Sequence, residues 1–429
     1  LPAVLEAARR QLRHPPAIHT QTAIQQNEGS IALLEKTLQP FADALPPALR
    51  DSLLIARDAA VRELRTFGRW LRDDLLQRST GAFRLGRERY ARKFALQLDT
   101  DMPPETLLAE AERLLEVTTG EMDRIATSLF PSLFPGTAPP AQRADRIRRV
   151  LDRLAEDHPS DSSIVTQAKA DLDLARSFVR EHDLVRVPDE PLDIIVMPEF
   201  QRGVAVAYCD SPGALEENGK TFFAIAPTPE YWSADRKASF YREYNTYMLK
   251  NLVVHEAMPG HFLQLITANR AETPTLLRSV FPSGVFAEGW ATYCEQLMAE
   301  AGFGGRQVKM QQLKMYLRLL INAIIDQRVH TGDITERDAM ELMMVRGFQE
   351  EGEAAGKWRR ACLTSVQLSS YFYGNIRMRE LRQRAEAQAG KSFSLRAFHD
   401  RLLSFGTISP KYHPMLMKLP APGPVVAER

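Results

Sequence analysis

The residues best equipped for chemistry lie in one stretch, Val254-His255-Glu256-Ala257-Met258-Pro259-Gly260-His261. Its two imidazoles and one carboxylate nearly reproduce the spacing H-E-x-x-H, in which histidines four residues apart share a helix face, bind one metal, and leave the glutamate to act on a water. Here the histidines stand six residues apart. At about 100° per residue, six steps turn a side chain by roughly 240°, so an unbroken helix would aim the two rings away from each other. Pro259 removes an amide donor and Gly260 permits backbone angles that other residues avoid. Together they are expected to break or bulge the helix and return His261 to the side of His255.

A hydrolytic metal site needs three protein ligands, one open position and a nearby base. The next carboxylate suited to the third position is Glu288, 27 residues beyond His261 in Phe286-Ala287-Glu288-Gly289-Trp290-Ala291-Thr292-Tyr293-Cys294-Glu295. Glu288 and Glu295 are two helical turns apart on a segment otherwise lined by Trp290, Ala291, Cys294 and Leu297. Unpaired carboxylates are costly to bury. Glu288 as a metal ligand, with Glu295 behind it as a hydrogen-bond or ion-pair partner, accounts for both, and the alternative is two ordinary ion pairs.

The elements that must hold these residues are mostly helices. Apolar residues recur at helical spacing over Ile31–Leu38, Ala48–Leu76 and Ile164–Val179, and after Asp101-Met102-Pro103-Pro104-Glu105 through Leu107, Leu108, Ala111, Leu114, Leu115, Met122, Ile125 and Leu129. Residues 1–187 therefore read as a helical half. From 188 the chain carries three β-rich runs, Leu192–Met197, Gly203–Cys209 and Thr221–Ala226, expected to form a small antiparallel sheet with the third run at its edge because prolines follow it. Helical periodicity resumes near Arg242, the motif helix starts around Tyr244, and residues 188–429 form the metal-site half. The two halves are expected to make one continuous domain around a central cleft.

Lys plus Arg number 55 against 54 Asp plus Glu, which gives no electrostatic reason to expect nucleic acid or an anionic membrane as partner. Cys209, Cys294 and Cys362 are few and widely spaced, so neither a disulfide framework nor a thiolate metal site is indicated. No apolar run approaches the roughly 20 residues that span a bilayer. The chain reads as soluble, either cytoplasmic or exported with a leader that precedes Leu1. Oligomeric state is not legible.

Residues 253–264 and 287–295 resemble the bacterial domain-of-unknown-function family 885, whose members carry H-E-x-x-P-G-H-x-L-Q followed by E-G-W-A-x-Y-x-E. Further matches are Asp326-Gln-Arg-Val-His330-Thr-Gly332, Leu368-Ser-Ser-Tyr371-Phe-Tyr-Gly374, and Phe398-His-Asp-Arg-Leu-Leu403 with Gly406, so the similarity spans nearly the whole chain. That family in turn resembles the mainly helical gluzincin peptidases, in which helices surround a deep cleft. The resemblance implies that His255, His261 and Glu288 hold one zinc ion and that Glu256 is the general base. It also implies that a later histidine or tyrosine stabilises the oxyanion, for which His330 and Tyr371 are the candidates. Asp326, four residues before His330, could orient its ring or equally cap a local charge cluster.

The expectation is a predominantly α-helical, gluzincin-like zinc peptidase acting on oligopeptides. The alternatives are a catalytically silent peptide-binding protein whose Pro259-Gly260 insertion has spoiled the metal geometry, and a metal-dependent amidase acting on non-peptide amides. Arg377, Arg379 and Arg382 could bind a terminal carboxylate, the acidic run Gln349–Glu353 reads as a solvated face, and Tyr293, His399 and His413 read as packing residues.

Overall fold

The computed structural model describes residues 1–197, 207–213, 216, 219–228, 232–271, 280–332 and 334–420. The chain divides into two compact units, Leu1–Gly86 and Arg87–Arg429. The change from helix to strand near residue 187 falls inside the second unit. The first unit is built from helices Pro2–Gln11, Ala17–Ala32 and Pro47–Trp70, the last two packed together. Asn27 fastens this pair, its side-chain amide donating to the Leu64 carbonyl at 3.0 Å.

The second unit is organised on a central helix, Gly305–Thr331, which packs against Pro104–Leu133 on one side and Gln367–Ala389, called here the tyrosine helix, on another. Nearly every residue from Met310 to His330 is buried, polar ones included. A helix buried all round must satisfy its polar side chains internally. Lys314 and Arg318 do so on the buried Glu243 at 2.7 and 2.6 Å, and Asp326 and His330 do so on neighbouring helix ends.

The three strands are β1 (Asp193–Val196), β2 (Ala207–Asp210) and β3 (Phe222–Ile225), in the order β1-β3-β2. The sheet is mixed, which corrects the antiparallel expectation. β1 pairs with β3 in parallel, Asp193 opposite Phe222, and β2 pairs with β3 antiparallel, Ala207 opposite Ile225. The last run is therefore the central strand and not an edge. Its composition carried the signal: Phe223, Ala224 and Ile225 follow one another without alternation and all are fully buried, as a strand covered on both faces requires. Residues 203–206 of the second run lie outside the described residues. β2 packs on the helix that carries His255, which places the sheet beside the motif.

Candidate metal centre

The motif is carried by two helices. The first, Thr246–Glu256, starts at Asn245, whose side-chain oxygen accepts from the Tyr247 and Met248 amides at 3.2 Å each. It ends at Glu256, and the second motif helix, His261–Arg270, starts five residues later with Gly260 as its N-cap. The helix is broken and restarted, which is the first of the two outcomes, break or bulge, expected from Pro259 and Gly260. The four connecting residues fold back on the last turn they leave: the Gly260 amide donates to the Val254 carbonyl at 2.9 Å, and the Met258–Pro259 peptide is cis. A Cβ on Gly260 would stand 1.9 Å from the His255 oxygen and 2.4 Å from that of Val254, so only glycine fits.

The loop is gripped from the other side by the carboxylate helix, Gly284–Glu300, which Ser283 caps through the Phe286 amide at 3.3 Å. The Trp290 indole donates to the Pro259 carbonyl at 2.9 Å, and the Cys294 thiol points at the same oxygen. One face of that helix thus holds the loop while the adjoining face presents Glu288 and Glu295.

These constraints bring His255, His261 and Glu288 together, one donor atom from each lying within 4.8 Å of the others. Glu288 Oε2 is 3.6 Å from His255 Nε2 and 3.5 Å from His261 Nε2, and the two rings stand perpendicular with centroids 4.8 Å apart. Glu295 accepts from His255 Nδ1 at 2.7 Å, and its other oxygen accepts from the Asn251 amide at 2.7 Å. This bond fixes which imidazole nitrogen carries the proton and leaves Nε2 facing the cluster. Burial disfavours charge on the His255 ring, yet Glu288, Glu295 and Glu256 outweigh it and push its pKa well above the usual value. Burial likewise opposes ionisation of Glu288, but the two imidazoles hold it far below the usual carboxylate range.

Does this donor set fit a metal? Glu288 Oε2 is buried and has no hydrogen-bond partner, although it is the atom that faces both imidazoles. An ionised oxygen left bare in this way is expensive unless a cation completes it. Two imidazole nitrogens and a carboxylate oxygen, on three half-buried residues, match a three-ligand site that keeps a position open.

Glu256, the last residue of its helix, is half-buried and accepts no hydrogen bond among the described residues. Its charge is felt by His255 and by Cys209 on β2, whose thiol is pushed up by burial first and then by Glu256 and Asp210. Tyr371 is carried by the tyrosine helix. The Arg360 guanidinium donates to its hydroxyl oxygen at 3.2 Å and the Gln367 amide at 3.4 Å, so its own proton is left to be donated elsewhere. Burial raises its pKa and the Glu288 charge raises it further, which puts Tyr371 within electrostatic reach of the cluster and keeps the phenol protonated. A backbone crossing sets this position. A Cβ on Gly374 would lie 2.3 Å from the Val285 carbonyl, and one on Gly289 would lie 2.6 Å from Gly374, so glycines on both helices let Tyr371, one turn earlier, approach Glu288.

His330 has a different job. Its Nε2 sits 2.6 Å from the Thr364 carbonyl and 3.0 Å from that of Ala361, closing the end of helix Glu351–Leu363, and Tyr90 stacks on its ring. A ring nitrogen spent on two carbonyls is not a donor for an oxyanion. Nor does Asp326 orient that ring: its oxygens accept from the Val366 and Ser369 amides at 3.0 and 3.2 Å and so cap the start of the tyrosine helix. Asp326 and His330, one turn apart on the central helix, thereby clamp the elements carrying Tyr371 and Arg360. Arg377 and Arg382 pair with Glu380 and with Glu300 and Glu386, and the charge of Arg379 is felt by the Tyr316 hydroxyl. The acidic run is only partly a solvated face, since Gln349 is buried and Glu350 and Glu353 face Arg242 and Arg318. Tyr293 and His399 are buried and bonded to each other at 2.8 Å, and His413 is buried against Phe286.

Sequence reasoning missed Arg360, Asn251 and the crossing of the two helices at Gly289 and Gly374. A solved structure of a protein of unknown function from Shewanella oneidensis, provisionally described as a lipoprotein, is 33% identical, with a TM-score of 0.82 over 97% of this chain and 76% of that one. A second, from Colwellia psychrerythraea and similarly described, is 19% identical with a TM-score of 0.78 over 96% and 72%, and shows the shared fold. No curated protein matches the chain. The pattern described as "Bacterial protein of unknown function (DUF885)" matches residues 1–413, and the chain belongs to that family.

Proposed function

We propose that the protein is a zinc-dependent peptidase acting on oligopeptides, with His255, His261 and Glu288 as ligands. One observation carries the reading: the ionised Glu288 offers a buried, unbonded oxygen to two imidazole nitrogens, one of which Glu295 has already oriented. His255, His261 and Glu288 would hold the zinc, which would supply Lewis acidity to a water and to a carbonyl. Glu256 takes a proton from the attacking water and returns it to the leaving amine. Tyr371, its hydroxyl oxygen engaged by Arg360 and Gln367, donates a hydrogen bond to the carbonyl oxygen as negative charge develops there. The silent-protein alternative rested on a helix spoiled by the Pro259-Gly260 insertion, and it loses that support because the helix ends before the insertion. No helix among the described residues is long and apolar enough to cross a membrane, and the lipoprotein description of the Shewanella relative favours an exported protein that meets peptides outside the cytoplasm.

The test is metal content by mass spectrometry on protein purified without added zinc, alongside peptide cleavage by wild type and Glu256→Gln. Glu256→Gln should keep the metal and lose about 10²- to 10⁴-fold in turnover. Protein without stoichiometric metal, or cleavage indifferent to Glu256, would sink the reading.

A further inference from the structure

The arginines around the site differ in one respect. Arg318 pairs with Glu243 and Glu353, Arg242 with Asp152 and Glu350, Arg377 with Glu380, and Arg382 with Glu300 and Glu386. Arg360 has no carboxylate partner among the described residues, although it is half-buried. Its Nη2 donates to the Gln367 side-chain oxygen at 2.9 Å and to the Tyr371 hydroxyl at 3.2 Å. Nε and Nη1 make no hydrogen bond to a described residue, and neither is among the sealed, unbonded atoms, so both remain within reach of a ligand.

The surroundings are short of negative charge. Lys314, Arg318 and Lys357 share two carboxylates, Glu243 and Glu353, because Glu350 faces Arg242, and neither is paired with Arg360. Lys357 lies one turn before Arg360 on the same helix, 3.9 Å from Glu353, and its ammonium feels both Arg318 and Arg360. A half-buried cluster with surplus positive charge is relieved by an anion, and a guanidinium held by two neutral groups presents its remaining fork to a carboxylate in bidentate geometry.

We propose that Arg360 is the substrate-carboxylate subsite, reading the free α-carboxylate of the peptide fragment that leaves. The inference rests on the peptidase reading, in which Tyr371 meets the scissile carbonyl oxygen. Arg360 lies one hydrogen bond beyond that hydroxyl. An extended residue advances the chain by about 3.3–3.6 Å, so a carboxylate reaching Arg360 belongs one or two residues past the scissile bond. The substrates are then short peptides with a free C-terminus, trimmed from that end.

The experiment measures binding to the full chain after removal of metal by chelation, using Ala-Ala-Ala, its C-terminal amide, and Ala-Ala-Glu-amide. Wild type should bind the acid at least about tenfold more tightly than the amide, and Arg360→Gln should erase the difference. Arg360→Lys keeps the charge without the fork, serves if the glutamine variant does not fold, and should retain a smaller preference. Strong binding of Ala-Ala-Glu-amide that depends on Arg360 supports the carboxylate subsite and assigns it to a side-chain acid. Equal binding of acid and amide, or a preference that survives both substitutions undiminished, overturns the proposal. Turnover of the same peptides by zinc-loaded protein separates the two readings: acid-selective binding without turnover leaves the subsite standing and removes the peptidase.

Discussion

Gly260→Ala is the sharpest perturbation available, because the added carbon meets backbone and not a side chain that could swing aside. It would lie 1.9 Å from the His255 oxygen, 2.4 Å from the Val254 oxygen and 2.5 Å from the His255 carbonyl carbon. Ordinary carbon contacts begin near 3.5 Å, so the loop must retreat by on the order of 1 Å. Retreat breaks the Gly260-to-Val254 hydrogen bond and carries along His261, the next residue, whose ring must meet Glu288 across the cluster. Metal–ligand distances tolerate only about 0.2 Å, so a displacement of this size removes one ligand in effect. Zinc affinity should fall at least about 100-fold, equivalent to about 2.8 kcal/mol, and the metal-free protein should lose about 2–4 kcal/mol of stability from the backbone collision alone. Competition against a chelator of known affinity measures the first, and urea unfolding of chelated protein measures the second. Gly284→Ala is the control, since a Cβ there meets nothing within 4 Å and opens the carboxylate helix without strain. If Gly260→Ala binds zinc as the wild type does, the loop does not position His261 and the geometric argument is wrong.

Glu295→Gln should weaken zinc binding by about 10- to 100-fold, read by the same chelator competition, because the amide can still touch His255 but no longer holds its Nδ1 proton by charge; undiminished affinity would show that Glu295 does not tune the ligand. Lys357→Met should stabilise the protein by about 1–3 kcal/mol in urea unfolding at pH 7. The ammonium's pKa is drawn from 10.5 down to about 8, chiefly by burial, with Arg318 and Arg360 adding to it and Glu353 and Glu243 opposing. Below pH 8 both folded and unfolded chains carry the proton and the cost of the buried charge is fully present. Between 8 and 10.5 the unfolded chain binds more protons, so wild-type stability from this group rises with pH and the gain from Lys357→Met fades. A gain that persists at pH 10.5 would refute the assignment.

The site was legible where chemistry and spacing coincide in sequence. His255, His261, Glu288 and Glu295 could be read because two histidines follow an aliphatic run and two carboxylates sit two turns apart on an apolar helix, arrangements that are costly without a cation to complete them. Tyr371 was legible only as one of several late candidates, because what selects it is the Gly289–Gly374 approach, a relation between helices 85 residues apart in sequence. Arg360 was not legible at all. It sits in Lys357-Trp358-Arg359-Arg360, where a one-residue change of helical phase decides which arginine faces solvent and which faces Tyr371, and no local pattern fixes that phase.

The sheet failed for a related reason. Three short runs in succession suggest a meander, and only the lack of alternation in Phe223-Ala224-Ile225 argued for a central strand. His330 and Asp326 are the instructive pair. Their types suggest acid–base chemistry, yet on a helix buried all round a histidine and an aspartate can equally be the groups that satisfy other helices' ends. This distinction has a mechanistic consequence, because Asp326 caps the helix bearing Tyr371 while His330 closes the helix bearing Arg360. The two residues fix Tyr371 and Arg360, the proposed oxyanion donor and carboxylate subsite, relative to one rigid rod. The metal ligands are fixed separately, by the grip of Trp290 on the Pro259 carbonyl. On the peptidase reading, catalysis would depend on the register between two independent clamps, and the glycine crossing at 289 and 374 is where that register is set.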